Sequence, residues 1–134
     1  MDKKKSRENS EELTQSVVKG MQEKKANDVT LLNLNNVPNA VADYFVICTG
    51  TSDTHLSAIA DSVEKEIREN QNEHPWHREG NQNKEWILLD YVNVVVHIFK
   101  QETRTFYNIE NLWGDAELIK VDNDLNITSN NINL

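Results

Sequence analysis

The sequence predicts an α/β fold, a small mixed β-sheet flanked by helices, and three observations carry that expectation. Residues 44–49, YFVICT, form a continuously apolar run that passes through Gly50 into a helical pattern at Leu56, Ile59, Ala60, Val63 and Ile67. Trp86 to Tyr91 and Val94 to Phe99 are two β-rich runs separated by Val92 and Asn93, the spacing of a hairpin. A chain that holds both a strand-to-helix crossover and a hairpin needs parallel and antiparallel pairing in one sheet. At 134 residues it fits one domain around one core.

Taken in order, Asn9 or Ser10 caps a first helix whose apolar positions Leu13, Val17 and Met21 recur at helical spacing, with Gly20 as a tolerated interruption. That helix ends near Ala26 and Asn27. Asp28 to Leu34 has the content of a short strand, followed by a turn at Asn35, Asn36 and Pro38. The apolar run from Tyr44 reads as a central strand, and Ser52 or Asp53 caps the helix after it. In the polar connection that follows, His74 to Glu79 reads as a short edge strand bounded by Gly80. After the hairpin a last helix covers Gln101 to Asn108, and LWGD closes the domain. The expected organisation is a flexible segment 1–9, a domain 10–117, and a mobile tail 118–134 with no amphipathic pattern. The acceptor pattern Asn126 to Thr128 carries no weight without a secretory signal.

The chain has 22 acidic against 14 basic residues and a net charge of −8. Such a surface argues against binding a phosphate backbone, which needs clustered Lys and Arg, and suits a basic protein partner. Cys48 is the single cysteine and lies in the apolar run, so it reads as a buried thiol in a reduced compartment. There is no secretory h-region and no membrane-length apolar stretch, so a cytoplasmic protein is expected.

Gly50, Thr51 and Ser52 lie where a helix amino terminus offers N–H groups to a phosphate, with the Thr51 and Ser52 hydroxyls as further donors. The turn has no lysine and matches neither GxxxxGK[ST] nor GxGxxG, so a tight turn with a capped helix is the reading preferred. His55, His74, His77 and His97 do not combine with Cys48 into a recognised zinc set, and no metal or cofactor is expected. Asp61, Asp90 and Asp115 form no close pair, while Asp53 and Asp61 stand about 12 Å apart along a helix. The better candidate is an aromatic and acidic cluster, Trp86, Asp90, Tyr91 and Trp113. Alternation puts Trp86, Leu88 and Asp90 on one face of a strand and Ile87, Leu89 and Tyr91 on the other. An exposed Trp86 would be a binding anchor; a buried one would cap the core.

DYFVICTGTSDTHLSAIAD, EWILLDYVNVVVHIF and TRTFYNIENLWGDA, in that order, resemble the ribosomal silencing factor family, RsfS, also called iojap-like, over roughly Ser10 to Ala116. The resemblance implies a fold similar to nucleotidyltransferases and a non-enzymatic translation factor. Such a factor binds large-subunit ribosomal protein number fourteen, blocks joining of the subunits when nutrients are scarce, and is a homodimer when free. It also implies a partner-binding surface on the EWILLDY strand, here Trp86, Asp90 and Tyr91, with Glu79 and Gly80 nearby. Many members carry Gly where this chain has Val92. The alternative is a nucleotide-binding or nucleotidyl-transferring enzyme that uses the turn from Gly50 to Asp53.

Overall fold

A strand that is apolar at every position must be covered on both faces. The computed structural model, which describes residues 3–80 and 85–122, buries all seven residues of strand β2 (Tyr44–Gly50). The full order is α1 (Lys3–Glu23), β1 (Asn27–Asn33), β2, α2 (Asp53–Gln71), β3 (His77–Glu79), β4 (Trp86–Asp90), β5 (Val94–Lys100), α3 (Gln101–Tyr107), α4 (Ile109–Leu112) and β6 (Glu117–Lys120). The six strands form one sheet in the order β3-β4-β5-β2-β1-β6. Its centre is the parallel pair β2 and β5, registered from Tyr44 opposite Val94 to Gly50 opposite Lys100. The remaining neighbours are antiparallel. A parallel pair needs a long crossover, and α2 with β3 and β4 supplies it.

Helices α1 and α2 cover one face, where Val17, Met21, Leu56, Ile59, Val63 and Ile67 meet Val46, Cys48, Val96 and Ile98. Ser52 caps α2 as expected, its hydroxyl accepting from the His55 N–H at 3.0 Å. Gly20 is more than a tolerated interruption. The Ser62 hydroxyl donates to its carbonyl at 2.8 Å, and the α2 backbone at Val63 occupies the place a Cβ would take, so α1 and α2 meet closely there. The other face has no long helix. Leu32, Phe45, Ile47, Val95 and Phe99 are covered by Ile109 of α4, by Leu34 and Ala42, and by half-buried Trp86, Leu88 and Trp113.

Several boundaries differ from the sequence reading. Helix α1 begins at Lys3, so residues 3–9, expected to be a flexible segment, continue it, and Ser10 lies inside. The Ser10 hydroxyl does not cap the helix but donates to Asp43 Oδ2 at 2.7 Å. Strand β3 begins at His77, because Trp76 N–H already bonds the Asp90 carbonyl outside the ladder. The single last helix is two: Asn108, in the left-handed region at φ +48°, ends α3 and starts α4. Residues 118–120, expected in a mobile tail, pair with β1 as β6, because Ile119 and Val121 complete the helix-side core. The Asn126 to Thr128 pattern lies outside the described residues. No helix among the described residues is long and apolar enough to cross a membrane.

Alanine normally favours a helix over glycine by about 1 kcal/mol. At position 20, however, an added Cβ would stand 2.7 Å from Val63 Cα and 3.0 Å from the Ser62 carbonyl oxygen. Overpacking of this kind costs ~1–3 kcal/mol, so the clash outweighs the propensity. Gly20→Ala should therefore lower the stability measured by urea unfolding, and an unchanged or raised midpoint would mean that the helices part without cost.

Candidate functional site

The turn after β2 has the outline of an anion site but its groups are engaged within the chain. The Thr51 N–H donates to His55 Nδ1 at 2.9 Å, and His55 Nε2 donates to the Lys24 carbonyl at 2.7 Å. The Cβ position of Gly50 is taken by the side chain of Leu56, so this glycine serves packing. Asp53 forms an ion pair with Lys100, and that hydrogen bond raises the lysine's pKa. A cleft of about 650 Å³ beside the turn is lined in part by Asp28, Thr49, Thr51, Glu85, Lys100 and Glu102. Three carboxylates and one paired lysine disfavour a triphosphate there. Among the described residues no group of three or more His, Cys, Asp or Glu is placed to hold a metal ion. Cys48 is fully buried, and burial pushes its thiol pKa up, away from nucleophilic character.

Strand β4 divides the residues expected to act together. Alternation sends Tyr91 to the helix side, where it is buried and its hydroxyl finds no partner among the described residues. Burial, then the carboxylates of Glu64 and Glu73, push its pKa up. Asp90 stands at the far end of β4, its Oδ1 accepting from the Val92 N–H at 2.7 Å to fasten the turn. Glu79 lies on the edge strand opposite Leu88 and meets His77 Nε2 at 2.7 Å. Gly80 is held at φ +99°, where a side chain would overlap the Trp86 carbonyl oxygen. It shapes the approach to β4 and has no side chain to offer.

Trp86 is half-buried and belongs to an aromatic path. Its ring lies 4.7 Å from Phe99, 5.8 Å from His97 and 4.9 Å from Tyr107, centre to centre, and Tyr107 lies 5.0 Å from Phe106. Trp113 joins through Phe45 at 5.8 Å. The inner end of this path is core and its outer end is surface, where Phe106 is 79% exposed; Leu112 of α4 is 75% exposed as well. So Trp86 both caps the second core and leads out of it. Phe106, Tyr107 and Leu112 are the residues that sequence reasoning missed. The doublet Phe106-Tyr107 closing a polar helix of seven residues was the available signal, too short to show a face.

Arg104 sets the position of this patch. It is buried, and its guanidinium donates to the Asp28 carbonyl at 2.8 Å, to Thr30 Oγ1 at 3.0 Å and to Glu110 at 3.2 Å. It thereby ties α3 and α4 to β1. With Arg104 buried, the exposed charges of residues 101–117 are the carboxylates Glu102, Asp115 and Glu117. The exposed side chains of this segment are thus apolar and aromatic or carboxylate, a composition that suits a protein contact surface.

A family profile described as "Ribosomal silencing factor during starvation" matches residues 7–133. Proteins named Ribosomal silencing factor RsfS are similar to this chain: that of Halalkalibacterium halodurans is 37% identical over 84% of this chain and 94% of its own length. That of Bacillus subtilis is 39% identical over 78% of this chain and 86% of its own length. A crystal structure of a protein from Chromobacterium violaceum superposes with a TM-score of 0.72 at 28% identity, covering 77% of this chain and 84% of that one.

His97 sits under the patch. Trp86 Nε1 donates to its Nδ1 at 3.1 Å, which puts the imidazole proton on Nε2, and burial lowers its pKa from the ordinary 6.5 to about 3. The unfolded chain therefore gains a proton below pH ~6.5 that the folded chain refuses. Stability is full above that pH and falls on acidification, by at most about 1.4 kcal/mol per pH unit from this residue. His97→Asn should flatten the decline between pH ~6.5 and ~5 by roughly 1–2 kcal/mol in urea unfolding. Equal slopes in the two proteins would show that His97 is not held neutral.

Proposed function

The chain belongs to the ribosomal silencing factor family, RsfS, and from that premise we propose that it silences ribosomes by occupying the large subunit through ribosomal protein number fourteen. Occupancy keeps the small subunit away when nutrients are limiting, in the cytoplasm and without turnover of a substrate. The physical demand is modest: the bound protein need only exclude the other subunit. The observation that carries the reading is the exposed aromatic path of Trp86, Tyr107 and Phe106, with exposed Leu112 on the next helix and carboxylates as the exposed charges of the same segment.

A basic ribosomal protein suits that surface for two reasons. Carboxylates of the segment speed the encounter and favour the right partner, while aromatic side chains supply most of the binding free energy once water is excluded. Glu79 and Gly80 add the edge of β3 beside Trp86 to the proposed contact, while Asp90 fastens the turn at the far end of β4 and Tyr91 supports that strand from beneath. The same exposed patch gives a second copy somewhere to sit, in line with the homodimer that the family resemblance implies for the free protein.

Sucrose-gradient sedimentation with purified subunits tests the proposal. The protein should travel with large subunits and, at saturation, reduce the yield of joined ribosomes. Failure of either would sink the reading. Trp86→Ala should weaken binding by at least ~2 kcal/mol. Because Trp86 also packs on Phe99, Phe106→Ser and Leu112→Ser serve as variants that weaken binding with an unchanged thermal midpoint. Unaltered affinity in all three would remove the patch from the interface.

A further inference from the structure

Large exposed apolar side chains among the described residues fall into two groups. Phe106, Tyr107, Leu112 and Leu118 belong to α3, α4 and β6; Trp76, Val92 and Val41, at 81%, 56% and 70% exposure, do not. The second group lies along one end of the sheet. Trp76 precedes β3, Val92 lies between β4 and β5, and Val41 precedes β2, so the three follow the strand order β3-β4-β5-β2. Hydrogen bonds hold these segments side by side: Trp76 N–H to the Asp90 carbonyl at 2.7 Å, and Asp43 N–H to the Asn93 carbonyl at 2.8 Å. With strands about 4.8 Å apart, the row spans roughly 14 Å.

Val92 has a φ of +73°. A β-branched residue in the left-handed region is a steric outlier, and here it is exposed, so no core packing inside the chain compensates it. Asparagine or glycine would fit that turn without strain. The segments that carry the row, residues 33–43, 72–77 and 90–93, contain Asp43, Glu73 and Asp90 and neither Lys nor Arg, and the adjoining Arg78 is paired with Asp61 and Glu64. Apolar knobs among carboxylates complement a segment that carries apolar anchors among cations.

We propose that this end of the sheet is a second docking surface, and that its occupant is a Lys/Arg-rich protein segment with apolar anchors seated against Trp76, Val92 and Val41. It lies at the opposite end of β4 from Trp86, and it does not depend on large-subunit binding through the aromatic patch.

The full chain, isotope-labelled, would be titrated in NMR with a short peptide repeating Lys-Lys-Leu. The Trp76 indole and the Val41 and Val92 methyl signals should move together and saturate. A Glu-Glu-Leu peptide should leave them in place, and an all-lysine peptide should bind at least about tenfold more weakly. Trp76→Ala and Val92→Asn should each weaken binding about tenfold or more, with the thermal midpoint of Val92→Asn unchanged or raised. Shifts confined to Phe106, Tyr107 and Leu112, or equal binding of the all-lysine peptide, would overturn the assignment. So would a midpoint that falls in Val92→Asn, or shifts that follow the protein's own concentration without peptide, the mark of a second copy.

Discussion

Everything in this molecule is arranged around covering the parallel pair β2 and β5 on both faces. Val46, Cys48, Val96 and Ile98 look toward α1 and α2, while Phe45, Ile47, Val95 and Phe99 look the other way. The two faces are served unequally. One receives two long helices that pack closely enough to require a glycine at position 20. The other receives two short helices of seven and four residues, a proline-containing loop, and rings that are only half-buried. A thin cover leaves aromatic side chains exposed, so the uneven covering of the sheet creates the aromatic surface.

That asymmetry explains which parts were legible in the sequence. Strand β2, helix α2 and the hairpin of β4 and β5 repeat one burial pattern over five or more residues, and each was read within a residue or two. Alternation along β4 also separates Trp86 from Tyr91 correctly. Strand β6 was missed because only Ile119 of its four residues is buried, which is no pattern at all. Ser10 was misread as a cap because its hydroxyl serves a partner 33 residues away. The meeting of Tyr107 with Trp86 is a product of where Arg104 anchors α3, and no local spacing reports a bond to a carbonyl 76 residues distant.

The segment from Asp43 to His55 shows the converse, a local pattern whose chemistry tertiary structure removes. A strand, a glycine turn and a helix amino terminus are the parts of a phosphate site. Here the Thr51 N–H is given to His55, the Ser52 hydroxyl caps the helix, and Asp53 is held by Lys100. Those three commitments also hold α2 against the turn between α1 and β1, through His55 and the Lys24 carbonyl. The groups that would greet an anion instead fix the crossover helix, and with it the helix-covered face.

An acidic chain with exposed aromatic side chains has conflicting tendencies. Its charge of −8 keeps copies apart, while apolar patches draw them together. A partner of opposite charge would resolve the conflict, because only then do the charge and the apolar surface favour the same event. If two copies paired through this surface they would bring like charges together, so that affinity should fall as ionic strength drops and the repulsion is less screened. Association with a basic surface has the opposite dependence and strengthens in low salt. A surface of this composition would therefore favour a basic partner over a second copy, because the electrostatic part of the binding free energy differs in sign between the two.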